Sequence, residues 1–300
     1  MSAPADMVAP AAGFEPRRGY SPWEDAWRRL KRNRMALGAG VALLVIALAS
    51  VAAPILPGLA APNAQDLALG PTSPSTAHPL GTDILGRDLL ARVLFGGRIS
   101  LLVGLMGMFV SIGVGVTYGA IAGYAGGRVD EGMMRFVDVL YALPYLFLVI
   151  LLLVFFSKSL LMLFVALGLV QWLTMARIVR GQVLSLRSQN FVEAARALGA
   201  GDASILFRHL VPNTLGPVIV YATLTIPAVM LQEAFLSFLG LGVQPPAASW
   251  GTLVAEGAEV MSLFPWLVIF PGLMLSVTLF CLNFLGDGLR DALDPRDARN

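Results

Sequence analysis

Charged residues, cysteine and histidine are all scarce in this sequence. Charged residues make up 13% of the chain, hydrophobic residues make up 57%, and the formal net charge is only +2. Soluble domains carry about 25% charged residues, so this composition indicates a chain whose main solvent is lipid. The basic residues are spread along the chain instead of forming one patch, so nucleic acid is not expected as a partner.

The rare reactive side chains exclude several kinds of chemistry. The single cysteine, Cys281, cannot form an internal disulfide, and His78 and His209 do not have the spacing of a metal site. The two lysines, Lys31 and Lys158, do not follow a glycine-rich phosphate loop, so no ATPase site of that type is expected. There is no arrangement typical of a hydrolase and no pair of catalytic carboxylates. We therefore expect no enzyme activity, metal or cofactor in this chain.

Long apolar runs, by contrast, are abundant. Six of them are long enough to cross a bilayer, and each should be a helix because a span in lipid must satisfy its own backbone hydrogen bonds. They run approximately over residues 35–56, 99–124, 136–156, 160–175, 215–235 and 265–285. The sequence thus predicts an all-α membrane protein with six transmembrane helices. The centres of the runs carry no ionisable residue, which argues against an ion-coupled transporter but leaves a channel open.

The distribution of Lys and Arg predicts the orientation. With the amino terminus in the cytoplasm, 17 of the 21 basic residues fall on the cytoplasmic side, as the positive-inside rule requires. Both termini and the polar segment 190–213 are then cytoplasmic. The chain divides into a tail at 1–34, a first span with an external loop at 35–98, a transmembrane core at 99–289 that contains segment 190–213, and a cytoplasmic end at 290–300.

Local patterns predict helix starts, contacts and kinks. Ser21 and Glu24 form a capping-box pattern around Pro22, which predicts an amphipathic helix at the membrane surface before the first span. In the second run, small residues recur every four positions and predict the close approach of another helix. They are Gly107, Ser111, Gly115, Gly119 and Gly123. Kinks are expected at Pro144 and at Pro271–Gly272.

Segment 190–213 reads as a helical hairpin. Asn190 is expected to cap a helix through Leu198, Gly199 and Gly201 to permit a turn, Asp202 to cap a second helix, and Pro212 to end it. From this pattern alone the hairpin could also be an ordinary loop.

The residues of the hairpin resemble the cytoplasmic "EAA" loop of ATP-binding cassette (ABC) importer permeases. Glu193-Ala194-Ala195, Gly199 and Leu210-Val211-Pro212 match the pattern of that loop. The resemblance implies a type I importer permease fold in which the first short helix is a coupling helix that seats on an ATPase subunit. It implies an ATPase-coupling role for Glu193, Ala194, Ala195, Gly199, Asp202 and Pro212.

Two further stretches are similar to the dipeptide, oligopeptide and nickel branch of that family, and to the second of its two permeases. They are "HPLGTDILGRDLLARVLFGGRISL" from His78 and "EAFLSFLGLGVQPPAASWG" from Glu233. The resemblance implies a bacterial-type cytoplasmic membrane, a second homologous permease, two ATPase subunits that bind the ATP and magnesium, and an external substrate-binding protein. It implies import of di- or oligopeptides. The alternative for the transported solute is nickel or another peptide-like solute. The alternative for the kind of protein is a gated channel or a scaffold subunit.

Both stretches fall on the external side by the charge distribution. They supply the candidate residues His78, Gly81, Asp83, Gly86, Arg87, Asp88, Glu233, Gln244 and Trp250. The charged residues of the first stretch either form an ion-pair network that holds the loop against the spans or contact the binding protein or substrate. Glu233 either pairs with an external arginine or touches the transported solute. Gln244 and Trp250 either brace the last connection or line the external site.

Overall fold

The computed structural model describes residues 22–156 and 159–293, and the described part of the chain is helical with no regular strand. Its helices are α1 (Pro22–Arg32), α2 (Arg34–Ala52), α3 (Leu89–Ala125), α4 (Gly127–Ala142), α5 (Tyr145–Phe156), α6 (Leu160–Leu186), α7 (Asn190–Ala197), α8 (Asp202–Ser204), α9 (Val211–Asn213), α10 (Leu215–Phe238), α11 (Trp250–Ala258) and α12 (Trp266–Leu293). A 3₁₀ turn, Ala53–Ile55, follows α2, and a wider π-helical stretch, Ile205–Leu210, joins α8 to α9.

The six predicted runs are present in the described residues. Five are single apolar helices, α2, α3, α6, α10 and α12, and the third is the pair α4 and α5, which meet at an angle of 86°. The bend falls at Pro144, where a kink was predicted. Proline lacks the backbone N–H that a continuous helix needs, and it disfavours helical backbone at Leu143, which is extended with ψ 136°. Pro271 causes no such break, because α12 is continuous through it.

Helices α3 and α6 extend furthest beyond their apolar runs. Helix α3 begins at Leu89, ahead of the predicted Ile99, because the Asp88 carboxylate caps it by accepting a hydrogen bond from the Ala91 N–H at 2.9 Å. Helix α6 continues past Met175 to Leu186. Neither extension is apolar throughout, so hydropathy alone did not detect it.

The small residues of α3 pack against two neighbouring helices, as their spacing predicted. A Cβ atom on Gly115 would lie 2.6 Å from Met175 Cβ, and one on Gly123 would lie 2.8 Å from the Arg180 carbonyl oxygen, both on α6. Gly107 faces Val229 of α10 instead. The stripe therefore lets α3 lie in close contact with both α6 and α10, and it accounts for the tightest part of the core.

The amino-terminal helix packs on the last span. Ala26 is buried, Leu30 approaches Gly288 of α12, and Asn33 caps α2 by accepting a hydrogen bond from the Ala36 N–H at 3.1 Å. Trp27, by contrast, is 56% exposed, so the predicted apolar face is divided between the protein and its surroundings. The predicted capping residue Ser21 lies outside the described residues.

Candidate functional site

The hairpin at 190–213 begins with the short helix α7 and a sharp turn at Gly199. The Ala200 N–H donates to the Ala195 carbonyl and the Gly199 N–H donates to the Arg196 carbonyl, both at 3.0 Å. These two bonds form a Schellman motif, which needs a left-handed residue after the helix, and Gly199 has φ +82°. The predicted role of Gly199 in the turn is therefore confirmed.

Three details of the predicted hairpin are wrong. Gln189, not Asn190, precedes α7, and its side chain makes no capping bond. Gly201 has φ −72°, which any residue can adopt, so the turn does not need glycine there. Asp202 begins α8 without capping it, because its carboxylate bonds to Tyr124. Pro212, by contrast, does lie at the end of the second helix, because helical backbone runs from Asp202 through Asn213 and a turn follows at Thr214.

One buried side chain fixes α7 while the rest of the helix is open. Val192 is fully buried in a cluster with Ile205, Leu206 and Leu210. Glu193 and Ala194 are exposed and Ala195 is half-buried. Leu198, directly before the turn, is 89% exposed. The hairpin thus presents charged, small and large apolar side chains on an exposed surface, and Val192 anchors that surface to the buried cluster.

Polar bonds tie the hairpin to the carboxyl end of α3. The Tyr124 hydroxyl donates to Asp202 Oδ1 at 2.5 Å, and Arg187 Nη1 donates to the carbonyls of Gly123 and Tyr124 at 3.2 and 3.4 Å. The neighbouring Tyr124 hydroxyl also raises the pKa of the Arg196 guanidinium above its usual value. The last carbonyls of α3 have no partner within the helix, and Arg187 donates to two of them. Arg187 therefore caps α3 and also holds the start of the hairpin against it.

The candidate residues of the first stretch form part of the predicted ion-pair network: Asp83 pairs with Arg87, whereas Asp88 bonds to His78. Asp83 Oδ2 accepts from Arg87 Nε and from Arg92 Nη1, each at 2.6 Å. His78 Nδ1 lies 2.8 Å from Asp88 Oδ2. Two glycines permit the turns of this loop, Gly81 with φ +82° and Gly86 with φ +68°.

Arg92 also joins this loop to the second stretch. Its Nη1 atom donates to Glu256 Oε2 of α11 at 2.9 Å, although only 3% of the Arg92 side chain is exposed. Trp250 is fully buried; its indole Nε1 donates to the Val93 carbonyl at 2.8 Å and its backbone N–H donates to Ser100 Oγ at 2.9 Å. The two external stretches therefore form one cluster around the start of α3.

The predicted pairing of Glu233 with an external arginine is wrong. Its Oε1 atom accepts hydrogen bonds from Ser237 and Ser249 at 2.8 and 2.7 Å, and the side chain is 1% exposed. Ser249 caps the amino terminus of α11, so Glu233 lies at the end of that helix that carries a partial positive charge. This partial charge stands where an arginine was predicted. Gln244 stays on its own loop, donating to the Gly242 carbonyl at 2.8 Å. These contacts fasten α11 to α10.

Three functional candidates were not found from the sequence. Arg92 was counted only as an external basic residue, Glu256 was not considered, and Leu198 was read only as the end of a helix. The positions of Arg92 and Glu256 are joined by folding and not by any local pattern. Within residues 22–156 and 159–293, no group of three or more potential ligands could hold a metal ion.

Comparison with known proteins places this geometry in one family. Residues 115–298 match the family described as binding-protein-dependent transport system inner membrane component, and residues 21–72 match the N-terminal transmembrane domain of oligopeptide transport permease C. The oligopeptide transport system permease protein OppC of Escherichia coli strain K12 is 51% identical over 281 residues, 93% of each chain. The dipeptide transport system permease protein DppC of Bacillus subtilis strain 168 is 46% identical over 277 residues, 91% of this chain and 85% of that protein.

A solved structure shares the fold at low sequence identity. The MetNI methionine ABC transporter, in an inward-facing conformation, gives a TM-score of 0.56 at 18% identity, covering 66% of this chain and 94% of the matched chain. This likeness identifies the ABC importer permease fold of the helical core. In the described residues five helices are long and apolar enough to cross a membrane, or six spans if the bent pair α4 and α5 forms one, and the protein is a multi-pass inner membrane protein. The chain belongs to the family of binding-protein-dependent transport system inner membrane components.

Proposed function

We propose that this chain is the permease subunit of an ATP-driven importer for di- and oligopeptides. The observation that carries the proposal is the exposed hairpin around α7, in a chain whose relatives are named for oligopeptide and dipeptide transport. An exposed, anchored hairpin that is clamped to a span is suited to receive force from a soluble subunit. The chain itself supplies the path, and ATP with magnesium is bound and hydrolysed by partner subunits.

The proposed assembly contains this chain, a second homologous permease, two ATPase subunits and an external substrate-binding protein. One ATPase subunit seats on Glu193, Ala194 and Leu198 at the cytoplasmic hairpin of this chain, and the other seats on the second permease. The binding protein docks near the external cluster of Asp83, Arg92 and Glu256. This arrangement requires both termini and segment 190–213 in the cytoplasm, as the 17 cytoplasmic basic residues favour.

Alternating access is the mechanism that follows. ATP-driven closure of the ATPases moves the hairpin, and the spans respond by exposing the path first to one side and then to the other. Affinity for the solute then resides mainly in the binding protein, because the centres of the spans carry no charged residue that would select one.

Uptake by the complete transporter in liposomes tests this proposal. A labelled alanine tripeptide should accumulate only with ATP inside and a loaded binding protein outside. Accumulation without ATP or without the binding protein would identify a channel and refute the proposal. Accumulation of nickel ions with no accumulation of tripeptide would transfer the function to the nickel alternative.

A further inference from the structure

A polar cavity lies beside the break between α4 and α5. Its volume is about 370 Å³, and its walls come from the break, from α6 and from α10. The polar residues that line it are Tyr141, Tyr145, Gln171, Thr174 and Gln232. None of these side chains carries a formal charge, so the cavity offers hydrogen bonds without an ion site.

The cavity lies among helices that are long and apolar enough to span a membrane, at the level of the midpoint of α6. Thr174 is close to the midpoint of α6, and its hydroxyl contacts the Tyr141 hydroxyl of α4. The extended backbone at Leu143 is at the same level. Non-helical backbone at this depth is tolerated only where it is buried in protein or lines a water-filled space. The cavity is open at Tyr141 and Tyr145, which are 42% and 46% exposed. The polar groups of this opening require water or a polar partner, and lipid tails cannot satisfy them.

Several hydrogen-bonding groups of the cavity have no partner among the described residues. Gln171 is 9% exposed and its amide makes no hydrogen bond to them, and Gln232 Oε1 is buried and equally unbonded. At the break, no described backbone N–H donates to the carbonyls of Tyr141, Ala142 and Leu143. Buried polar groups are normally bonded, so the Gln171 amide and Gln232 Oε1 indicate that a ligand or water satisfies them, while the carbonyls of the break belong to exposed residues and are accessible to the same ligand.

The electrostatics of the cavity favour hydrogen-bond donors. The free carbonyls form the carboxyl end of α4, which carries a partial negative charge. The nearest cation, Arg177, lies 4.0 Å from the Tyr141 ring centroid and is paired with Asp138 at 2.7 Å. Its charge is thus largely balanced by its own partner. The groups that best match the cavity are amide N–H groups and a terminal ammonium, while the Gln171 amide can also donate to a carbonyl.

We propose that this cavity is a transient binding site for the peptide as it crosses the membrane. The inference rests on the proposed function. It adds where the peptide binds during transport and which groups of the chain contact it. The N–H groups of a peptide lose water on entering the spans, and the carbonyls at the break, with Gln171 and Gln232, replace that water. The groups that line the cavity are neutral and match the N–H and carbonyl groups of a peptide backbone. The site therefore accepts peptides regardless of their side chains.

Trapping of a reactive peptide in the assembled transporter tests the site. Single cysteines are placed at the rim, Leu143→Cys and Tyr145→Cys, in a Cys281→Ser background. The matched control is Leu161→Cys, which is on α6 outside the cavity and is 69% exposed. The probe is an alanine tripeptide with a thiol-reactive methanethiosulfonate group, delivered by the binding protein during ATP turnover.

The rim cysteines should be labelled several-fold more than Leu161→Cys, and the excess should disappear without ATP. In addition, the double variant Gln171→Leu/Gln232→Leu should lower peptide uptake roughly tenfold, the loss expected for two hydrogen bonds to the passing peptide. Equal labelling of rim and control cysteines in a transporter that imports the tripeptide would refute the site and leave the proposed function intact. Absence of ATP-dependent tripeptide uptake by the unsubstituted transporter would instead refute the proposed function.

Discussion

Leu198 gives the most direct test of how the hairpin meets its partner. It is 89% exposed at the end of α7, next to the left-handed Gly199, and it is more exposed than the other large apolar side chains of the hairpin, Phe191 and Phe207. An exposed leucine at this point of a hairpin gains stability only when another protein covers it. We therefore expect Leu198→Ala to weaken ATPase binding.

The size of the effect follows from the surface that becomes buried. Complete burial of a leucine side chain contributes about 1.5–3 kcal/mol, and alanine retains a small part of that. Because almost the whole side chain is available for burial, the loss should be about 1.5–2 kcal/mol. Each 1.4 kcal/mol changes an equilibrium constant about tenfold, so the Kd of the ATPase should rise by roughly ten- to thirtyfold.

The assay is titration of the purified ATPase onto the permease pair in lipid nanodiscs. Leu67→Ala is the matched control, because Leu67 is 72% exposed in the loop between α2 and α3, which we place on the external side. That control should leave the Kd unchanged. An unchanged Kd for Leu198→Ala, with the complex intact, would show that the ATPase does not cover this side chain and would refute the seating of the hairpin.

Three further predictions concern the turn, the external cluster and the topology. Gly199→Ala should destabilise the hairpin by about 1–2 kcal/mol because of its left-handed backbone, whereas Gly201→Ala should not, as measured by hydrogen exchange of α7. Asp83→Asn removes one of the two carboxylates that pair with the buried Arg92, the other being Glu256, and should lower the free energy of unfolding by about 1.5–3 kcal/mol, whereas Asp138→Asn, in an exposed pair, should lower it by less than about 1 kcal/mol. With Cys281 replaced by serine, an impermeant maleimide should label Ser73→Cys in intact cells but Gly201→Cys only after permeabilisation, and the reverse result would invert the orientation.

The spans and the small-residue stripe were predictable because their signals are local. Hydropathy reports a run of apolar residues wherever it occurs, and spacing of four places Gly115, Gly119 and Gly123 on one side of a helix. The break at Pro144 was also indicated by sequence, since proline always removes an N–H. The 86° angle was not, because it depends on what α4 and α5 pack against.

Local rules failed where tertiary contacts compete with them. Asp202 has the residue type of a helix cap, but its carboxylate accepts a hydrogen bond from Tyr124 of α3 instead. The bond between Arg92 and Glu256 joins residues 164 positions apart, so no window of sequence contains it. Glu233 likewise bonds at the amino terminus of α11 and not to an arginine, and this partner cannot be predicted without knowing where α11 lies.

One unbroken helix connects the two candidate surfaces. The first residue of α3 follows Asp88, which bonds to His78 in the external cluster, and near its last residue Tyr124 bonds to Asp202 in the hairpin. The helix has 37 residues and no proline, and it is about 55 Å long. A helix held by a continuous ladder of hydrogen bonds moves as a unit, whereas the neighbouring pair α4 and α5 can change its angle at the break. If the ATPases move the hairpin, α3 should therefore carry that movement to the external cluster. The spans can change shape at the break beside Pro144, which forms a wall of the cavity.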